Sequence, residues 1–369
     1  MQHAEPASLS GGLQTLHAVV RAAIAATGGW LPFDRFMALA LYEPGLGYYT
    51  RGSRQFGAMP ASGSDFVTAP ELSPLFGEAL ARQVRQALDA AQADTVWEFG
   101  AGSGALAEQL LTALGEGLRR YAIVDVSGAL RQRQAERLAR FGSRVQWLDA
   151  WPERMEGVVV GNEVLDAMPV QLLHWDGQGW FERGVTAAGT GPLAWSDRPT
   201  DLRPPVPGPF VPGTTTEIHP QARAYIQSLA ERLQRGAAFF IDYGFPEAEY
   251  YHPDRTGGTL MCHRAHRADT DPLADIGQKD ITAHVDFTGI ALAGQDAGLD
   301  VLGYTSQARF LMNCGLLDLL KGADARTLSA AHKLLAEHEM GELFKVIGFA
   351  RGLAFDPIGF TAGDRSHTL

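Results

Sequence analysis

Apolar residues recur at helical spacing from Leu13 to Ala26 and again from Leu31 to Leu41, with Gly28-Gly29 between them, so two N-terminal helices are expected. The period then dissolves into Gly- and aromatic-rich text at Tyr42 to Tyr49, and an irregular loop at Gly57 to Asp65. Aromatics in such a loop either pack it to the body or cover a ligand. Thr68-Ala69-Pro70-Glu71 resembles a helix start, with Thr three residues before an acid and Pro in the first turn; the helix is predicted to run to about Ala91. From there strands and helices alternate: Thr95 to Phe99, a helix to about Leu118, Tyr121 to Val126, a helix from Gly128 to Arg140, then Val145 to Leu148 and Gly157 to Val160. Short apolar strands separated by amphipathic helices predict an α/β fold, a parallel sheet covered on both faces, with ligands at the strands' carboxyl ends.

The text changes from Gln171 to Pro204, where Trp175, Trp180, Phe181 and Trp195 stand among Gly, Asp and Thr, as in a small inserted antiparallel hairpin. Helix returns at Pro220 to Gln234 and strand at Ala237 to Ile241. Thr256 to Val285 has little periodicity, and an unstructured stretch of that length inside a domain is usually functional or mobile. The tail predicts a helix near Asp286 to Gly298, a strand near Leu299 to Tyr304, helices across Arg309 to Leu320 and Ala325 to Glu337, a turn at Met340-Gly341-Glu342, and a strand from Leu343 to Phe349. Such an ending suits a seven-stranded sheet whose last strand is antiparallel.

Chemistry concentrates where the first strand of the alternation ends, at Val96-Trp97-Glu98-Phe99-Gly100-Ala101-Gly102-Ser103-Gly104. Glycines there allow a sharp turn and let a ligand lie against bare backbone N–H groups. Gly100-x-Gly102-x-x-Ala105 also satisfies the dinucleotide fingerprint, so a nicotinamide-dependent dehydrogenase stands as an alternative. Reading the segment as E-x-G-x-G-x-G gives Glu98 a use, because its carboxylate sits where the cationic end of S-adenosyl-L-methionine would come, whereas a pyrophosphate has no use for an acid. Asp125, about 20 residues beyond the loop, is placed either to accept from ribose hydroxyls or to cap the next helix. Asp149, beside Ala150, is either an acceptor for an adenine amine or an exposed turn acid.

The fourth strand runs into Gly161-Asn162-Glu163-Val164-Leu165-Asp166-Ala167-Met168-Pro169, where Asn162, Glu163 and Asp166 are the candidate catalytic groups. The two acids would share a face if the segment turns helically, and crowding them is costly unless a cation comes between; the alternative is that they cap a short turn. Between Thr256 and Asp286, His263, His266, His284 and aspartates offer metal ligands in no common spacing, with Arg264 and Arg267 among them. No metal is expected, and a positively charged rim for an acidic surface fits better.

Composition narrows the class. The 369 residues, 46% hydrophobic and 20% charged, belong to a globular chain of one large or two ordinary domains. A net charge of −11 argues against nucleic-acid tracking, and no run reaches the roughly 18 apolar residues of a membrane helix. Two distant cysteines, Cys262 and Cys314, make no disulfide framework, and Met1 to Ser10 contains no Arg or Lys, so a cytoplasmic location is expected.

Several blocks taken together resemble one family, the MidA-type S-adenosyl-L-methionine-dependent methyltransferases. They are Glu43-Pro44-x-x-Gly47-Tyr48-Tyr49, Asp65-Phe66-Val67-Thr68-Ala69-Pro70-Glu71, Phe76-Gly77-Glu78, the glycine loop, Asn162-Glu163-x-x-Asp166-Ala167-x-Pro169-Val170, Asp242-Tyr243-Gly244, Asp280 to Thr288 and Met340 to Val346. Ser64 departs from the family's usual Gly. The resemblance implies a Rossmann-like seven-stranded methyltransferase sheet. The domain organisation expected is an N-terminal helical extension and substrate cover over 1–92, and a methyltransferase domain over 93–369 with the β insertion at about 171–215. It further implies S-adenosyl-L-methionine as cofactor, held by Glu98, Gly100, Gly102, Gly104, Asp125, Asp149 and Ala150. Mitochondrial members assemble respiratory complex I and methylate an arginine on one of its subunits, so the expected acceptor is an arginine of a complex I type subunit or of another protein. The alternative within the same fold is an assembly chaperone that keeps the cofactor as a structural ligand.

Overall fold

In the computed structural model, which describes residues 15–51, 68–125, 128–189, 191–264 and 267–369, the alternation that begins at Thr95 folds into one mixed sheet. Among the described residues this sheet has eight strands. Seven lie on one path in the order Val145–Leu148, Arg120–Val124, Thr95–Phe99, Met155–Asn162, Leu233–Phe245, Phe344–Arg351, Asp300–Ser306. The eighth, Val285–Asp286, pairs in parallel with the end of Leu233–Phe245 and is an addition to the seven expected. Phe344–Arg351 runs antiparallel to both its neighbours, and the other ladders along the path are parallel.

Register brings the chemistry together. Phe99 is level with Val124 on one side and with Gly161 on the other, and Asn162 is level with Ile241, so adjacent carboxyl ends finish at one edge. Strand order reverses between Thr95–Phe99 and Met155–Asn162, which is where a crevice opens in such sheets. Alternation of side chains sends Val158 and Val160 into one apolar core and Val159 into the other, and each core is closed by helices.

The helix predicted from Thr68 to Ala91 is two pieces, Ala69–Leu72 and Pro74–Ala91. The reason is local: Pro74 drives the residue before it out of the helical region, and Ser73 stands extended at φ −155° and ψ 135°, its hydroxyl capping the second helix at the Leu75 N–H. Likewise Leu31–Pro32 is a short strand and the helix follows at Phe33–Tyr42.

The insertion is larger than a hairpin. Gln171–Trp175, Trp180–Ala187, Leu193–Pro199 and Thr215–Ile218 form an antiparallel sheet with Leu31–Pro32 as a fifth strand, so the start of the chain completes it. The helices Leu16–Ala26 and Phe33–Tyr42 share a core with Leu172 and Val185 of that sheet, whereas Pro74–Ala91 packs on the main sheet. Thr256 to Val285, without periodicity in the sequence, contains a small sheet of Met261–Arg264, Arg267–Asp269 and Asp280–Thr282. Buried Glu217 fastens it: the carboxylate accepts from Thr259 N at 2.9 Å, Leu260 N at 3.1 Å and the Tyr250 hydroxyl at 2.9 Å. Met340-Gly341 lies in a π-helical turn, Glu337–Gly341, before the last strand. No helix among the described residues is long and apolar enough to cross a membrane. The expected loop at Gly57 to Asp65, with Ser64 and Asp65-Phe66-Val67, lies outside the described residues, as do Met1 to Ser10 and His266.

Candidate active site

A cavity of about 990 Å³ opens at the carboxyl edge of the sheet, over the reversal of strand order. Glu98, Gly100, Gly102, Asp125, Asp149 and Ala150 line one part of it, and Asn162, Glu163 and Asp166 another. Gly104 does not line it. This residue sits in the left-handed region at φ 81° and caps the helix Ala105–Leu114, so its part is to turn the loop into the helix. Gly100 and Gly102 are left-handed too, at φ 65° and 52°, which presents the loop backbone to the cavity.

Gln134 stitches the edge together. Its Nε2 donates to the Gly102 carbonyl at 3.0 Å and to Asp125 Oδ2 at 2.9 Å, while its Oε1 accepts from Trp147 Nε1 at 3.0 Å. Nothing in the sequence singled out this glutamine, because a helix residue acquires such a role only when three strand ends converge on it. Glu98 is 2% exposed and accepts from the Tyr121 hydroxyl at 2.8 Å. Burial pushes its carboxyl up to about 8 against the pull of that bond, and Asp125 adds to the rise. Asp149 stands at the exposed rim, paired with Arg131 at 2.7 Å. Next to Ala150, Trp151 packs on Phe99 (4.3 Å between ring centroids) and on Tyr225 (5.0 Å), giving this end an aromatic wall.

The donor set fits S-adenosyl-L-methionine. A buried acid at Glu98 suits a cationic end, a buried carboxylate at Asp125 suits vicinal hydroxyls, and the wall of Phe99, Trp151 and Tyr225 suits a flat ring.

At the other end Glu163 adopts φ 54°, a conformation that side chains rarely take, so the segment is a left-handed kink instead of the helical turn expected, and both acids still face the cavity. Asn162 Nδ2 donates to Glu163 Oε1 at 2.8 Å. Burial, with Asp166 nearby, pushes the Glu163 carboxyl up to about 8. Asp166 is raised by burial as well, with the Tyr243 hydroxyl opposing the rise, and its Oδ1 has no hydrogen-bond partner. The kink is held by Asp242, whose Oδ2 accepts from the backbone N–H of Val164, Leu165 and Asp166 at 3.1, 2.9 and 3.2 Å. The N-terminal region contributes Tyr42, which donates to the Ala167 carbonyl at 2.8 Å, and Tyr49, which donates to Asp280 at 2.9 Å; both line the cavity with Asp280. Aromatic content flagged that segment in the sequence, without showing which acid it would meet.

His263 and His284 line the cavity, and burial holds both imidazoles below their ordinary range, His284 at about 4. Among the described residues no group of three His, Cys, Asp or Glu is gathered as a metal site. Of the two arginines in the expected positive rim, Arg264 pairs with Asp275 at 2.9 Å and Arg267 is exposed, while the neighbouring Lys279 pairs with Asp269 at 2.8 Å. Cys262 and Cys314 are buried free thiols.

The chain is similar to known proteins in family and in fold. A family model described as "Putative S-adenosyl-L-methionine-dependent methyltransferase" matches residues 77–305. A crystal structure of a "likely methyl transferase" from Burkholderia thailandensis, bound to S-adenosyl-homocysteine, is 53% identical, with a TM-score of 0.92 over 96% of each chain. The mitochondrial protein arginine methyltransferase NDUFAF7 of Danio rerio is 28% identical over 87% of this chain and 83% of its own length. The Caenorhabditis elegans homolog is 25% identical over 89% and 82%.

Proposed function

From its membership of this family of S-adenosyl-L-methionine-dependent methyltransferases, to which the chain belongs, we propose that it methylates a guanidinium nitrogen of an arginine on another protein. The names of the curated relatives support an arginine acceptor, and a complex I type subunit is the first to try. One observation carries the reading: Glu163 and Asp166 are brought to the same cavity as the glycine loop, and a buried oxygen of Asp166 lacks a donor.

A buried carboxylate oxygen without a donor is costly, and a guanidinium brings five N–H donors in a plane together with a positive charge. Glu163 and Asp166 grip it from two sides and localise its charge away from the attacking nitrogen. An arriving cation also reverses the effect of burial and draws both acids toward their ionised forms. Glu163 then accepts the proton lost from the attacking nitrogen, and Asn162 fixes the orientation of its carboxylate through Oε1.

Glu98 would hold the cofactor's cationic end, Asp125 its ribose hydroxyls and Asp149 its adenine amine, with Ala150 and Trp151 beside the ring. When bound, the cofactor supplies an electrophilic methyl on a sulfonium, aligned for in-line displacement. Tyr42 and Tyr49, from the first 92 residues, serve as the cover over the acceptor.

The test is transfer of radiolabelled methyl from S-adenosyl-L-methionine into a lysate of the source organism lacking this gene, with mass spectrometry of any labelled band. Label on an arginine that disappears with Glu163→Gln supports the proposal. Label on another residue type, or equal labelling by that variant, rejects it.

A further inference from the structure

Strand alternation orders one wall of the cavity beyond Asp166. Along 280–284, Thr282 and His284 line the cavity, whereas Ile281 and Ala283 turn into the core shared with the N-terminal helices. The Ala283 N–H donates to the Asp166 carbonyl at 3.0 Å, so this stretch is fastened directly to the segment that carries the acid pair. His284 is fixed in backbone and in ring. Its N–H donates to the Thr259 hydroxyl at 3.0 Å, and Thr259 is gripped in turn by buried Glu217, which accepts the Thr259 N–H at 2.9 Å. The imidazole lies parallel to the Phe245 ring at 5.2 Å between centroids and meets the Tyr243 ring edge to face at 5.0 Å.

This wall holds unmet hydrogen-bonding capacity. Asp166 Oδ1, Thr282 Oγ1 and His284 Nδ1 are buried atoms with no hydrogen-bond partner among the described residues, and Asp166 and Thr282 are only 5% and 2% exposed. Such atoms are costly, and three on one wall call for a ligand with donors and acceptors of its own. Asp166 suits the guanidinium. Thr282 and His284 suit a neutral group, because burial keeps the imidazole uncharged and a hydroxyl can donate or accept. Every arginine of a protein brings that group with it, since each of its peptide groups offers an N–H and a C=O. The spacing matches as well. Asp166 and His284 are one hydrogen bond and one residue apart, and an extended arginine holds its guanidinium carbon about 6 Å from its Cα. Tyr243 also meets Phe344 at 5.4 Å, and the adjoining Leu343 lines the cavity while 43% exposed, so this end reaches the surface that a protein would approach.

Resting on the reading of Glu163 and Asp166 as the acids that grip the acceptor's guanidinium, we propose that Thr282 and His284 bind the main chain of the same arginine. The hydroxyl and the imidazole hydrogen-bond the peptide groups on either side of its Cα, and Thr259 with Glu217 sets where the imidazole stands. The site therefore selects an arginine within a polypeptide over a free guanidine.

The experiment compares two guanidinium ligands by NMR titration of the full chain saturated with S-adenosyl-homocysteine. Butylguanidine has no peptide group, and Nα-acetyl-arginine N-methylamide has one on each side of its Cα. The second is expected to bind the wild type at least about fivefold tighter, the worth of about one net hydrogen bond. His284→Phe, which keeps a flat ring against Phe245, is expected to bring the two ligands within about twofold of each other. Its affinities for butylguanidine and for S-adenosyl-homocysteine stay within about threefold of the wild type. Thr282→Val removes one hydroxyl at nearly constant shape and takes away part of the preference. Equal binding of the two ligands by the wild type, or an undiminished preference in folded His284→Phe, overturns the proposal. Should His284→Phe fail to fold, an undiminished preference in Thr282→Val overturns it instead. Failure of the underlying reading is seen separately. Glu163→Gln then binds butylguanidine as tightly as the wild type does, or the wild type binds neither ligand at about 50 mM, and either result removes this proposal as well.

Discussion

Asp242 holds Leu165: its Oδ2 accepts the Leu165 N–H at 2.9 Å, and the same oxygen takes the N–H groups of the residues on either side. Burial, with Asp166 and Glu163 close by, pushes the Asp242 carboxyl well above its ordinary range. The acid is kept there because it organises the kink that carries both candidate catalytic acids. Asp242→Ala leaves three inward N–H groups without an acceptor and is expected to destabilise the fold by roughly 3 kcal/mol or more, read by urea unfolding. Asp242→Asn keeps an oxygen in place and should retain most of the stability. Equal stability of the wild type and the alanine variant would contradict this role.

The glycine loop makes a sharper claim. Gly100 stands at φ 65°, and a Cβ there would meet Val164 Cγ2 at 3.0 Å. Gly100→Ala is expected to cost about 1–2 kcal/mol in backbone strain and to weaken S-adenosyl-homocysteine binding at least about tenfold, measured by calorimetry. A variant that binds as well as the wild type would show that the loop backbone does not meet the ligand.

Asp125 is buried at the carboxyl end of the second strand of the alternation and is oriented by Gln134. In the proposed role of acceptor for ribose hydroxyls, it should lose about tenfold or more in S-adenosyl-homocysteine affinity on Asp125→Ala, with 2′-deoxy analogues losing much less further affinity in the variant than in the wild type. Additive losses from the two changes would place the ribose elsewhere.

The pH dependence of stability follows from the buried acids. Glu98 and Glu163 both have folded-state values of about 8 against an ordinary 4.5, so the folded protein keeps protons that the unfolded chain gives up between those limits. Native protons in excess mean that stability falls as pH rises. The ligand-free melting temperature is therefore expected to decline between about pH 6.5 and pH 8, above the range in which His219, His263 and His284, held neutral by burial, pull the other way, and to decline less in Glu163→Gln, a comparison that scanning fluorimetry makes directly. A wild type that gains stability across the interval would show that these acids are ionised in the folded state.

Much of this protein was legible in its sequence because the signals are local. Strand and helix periods from Thr95 onward, the glycines after Glu98, and the acids that end successive strands each depend on a few neighbouring residues. A parallel sheet then leaves one edge where those ends can meet. Hence Glu98, Asp125 and Glu163 were found from the text, and they line one cavity. The break at Ser73 was equally local and only required weight on Pro74. Partnership across the chain was decided by tertiary structure. The hairpin expected near Trp175 became four strands, and Leu31–Pro32, about 150 residues earlier, adds a fifth by pairing with Trp180–Ala187. Gln134 became the link between Asp125 and the glycine loop, and Glu71 the link between that loop and Arg137, because packing brought side chains from separate elements within hydrogen-bond reach. Hydrophobic period records which face of an element turns inward. Which polar group it meets there depends on how whole elements pack, and no window of sequence contains that distance.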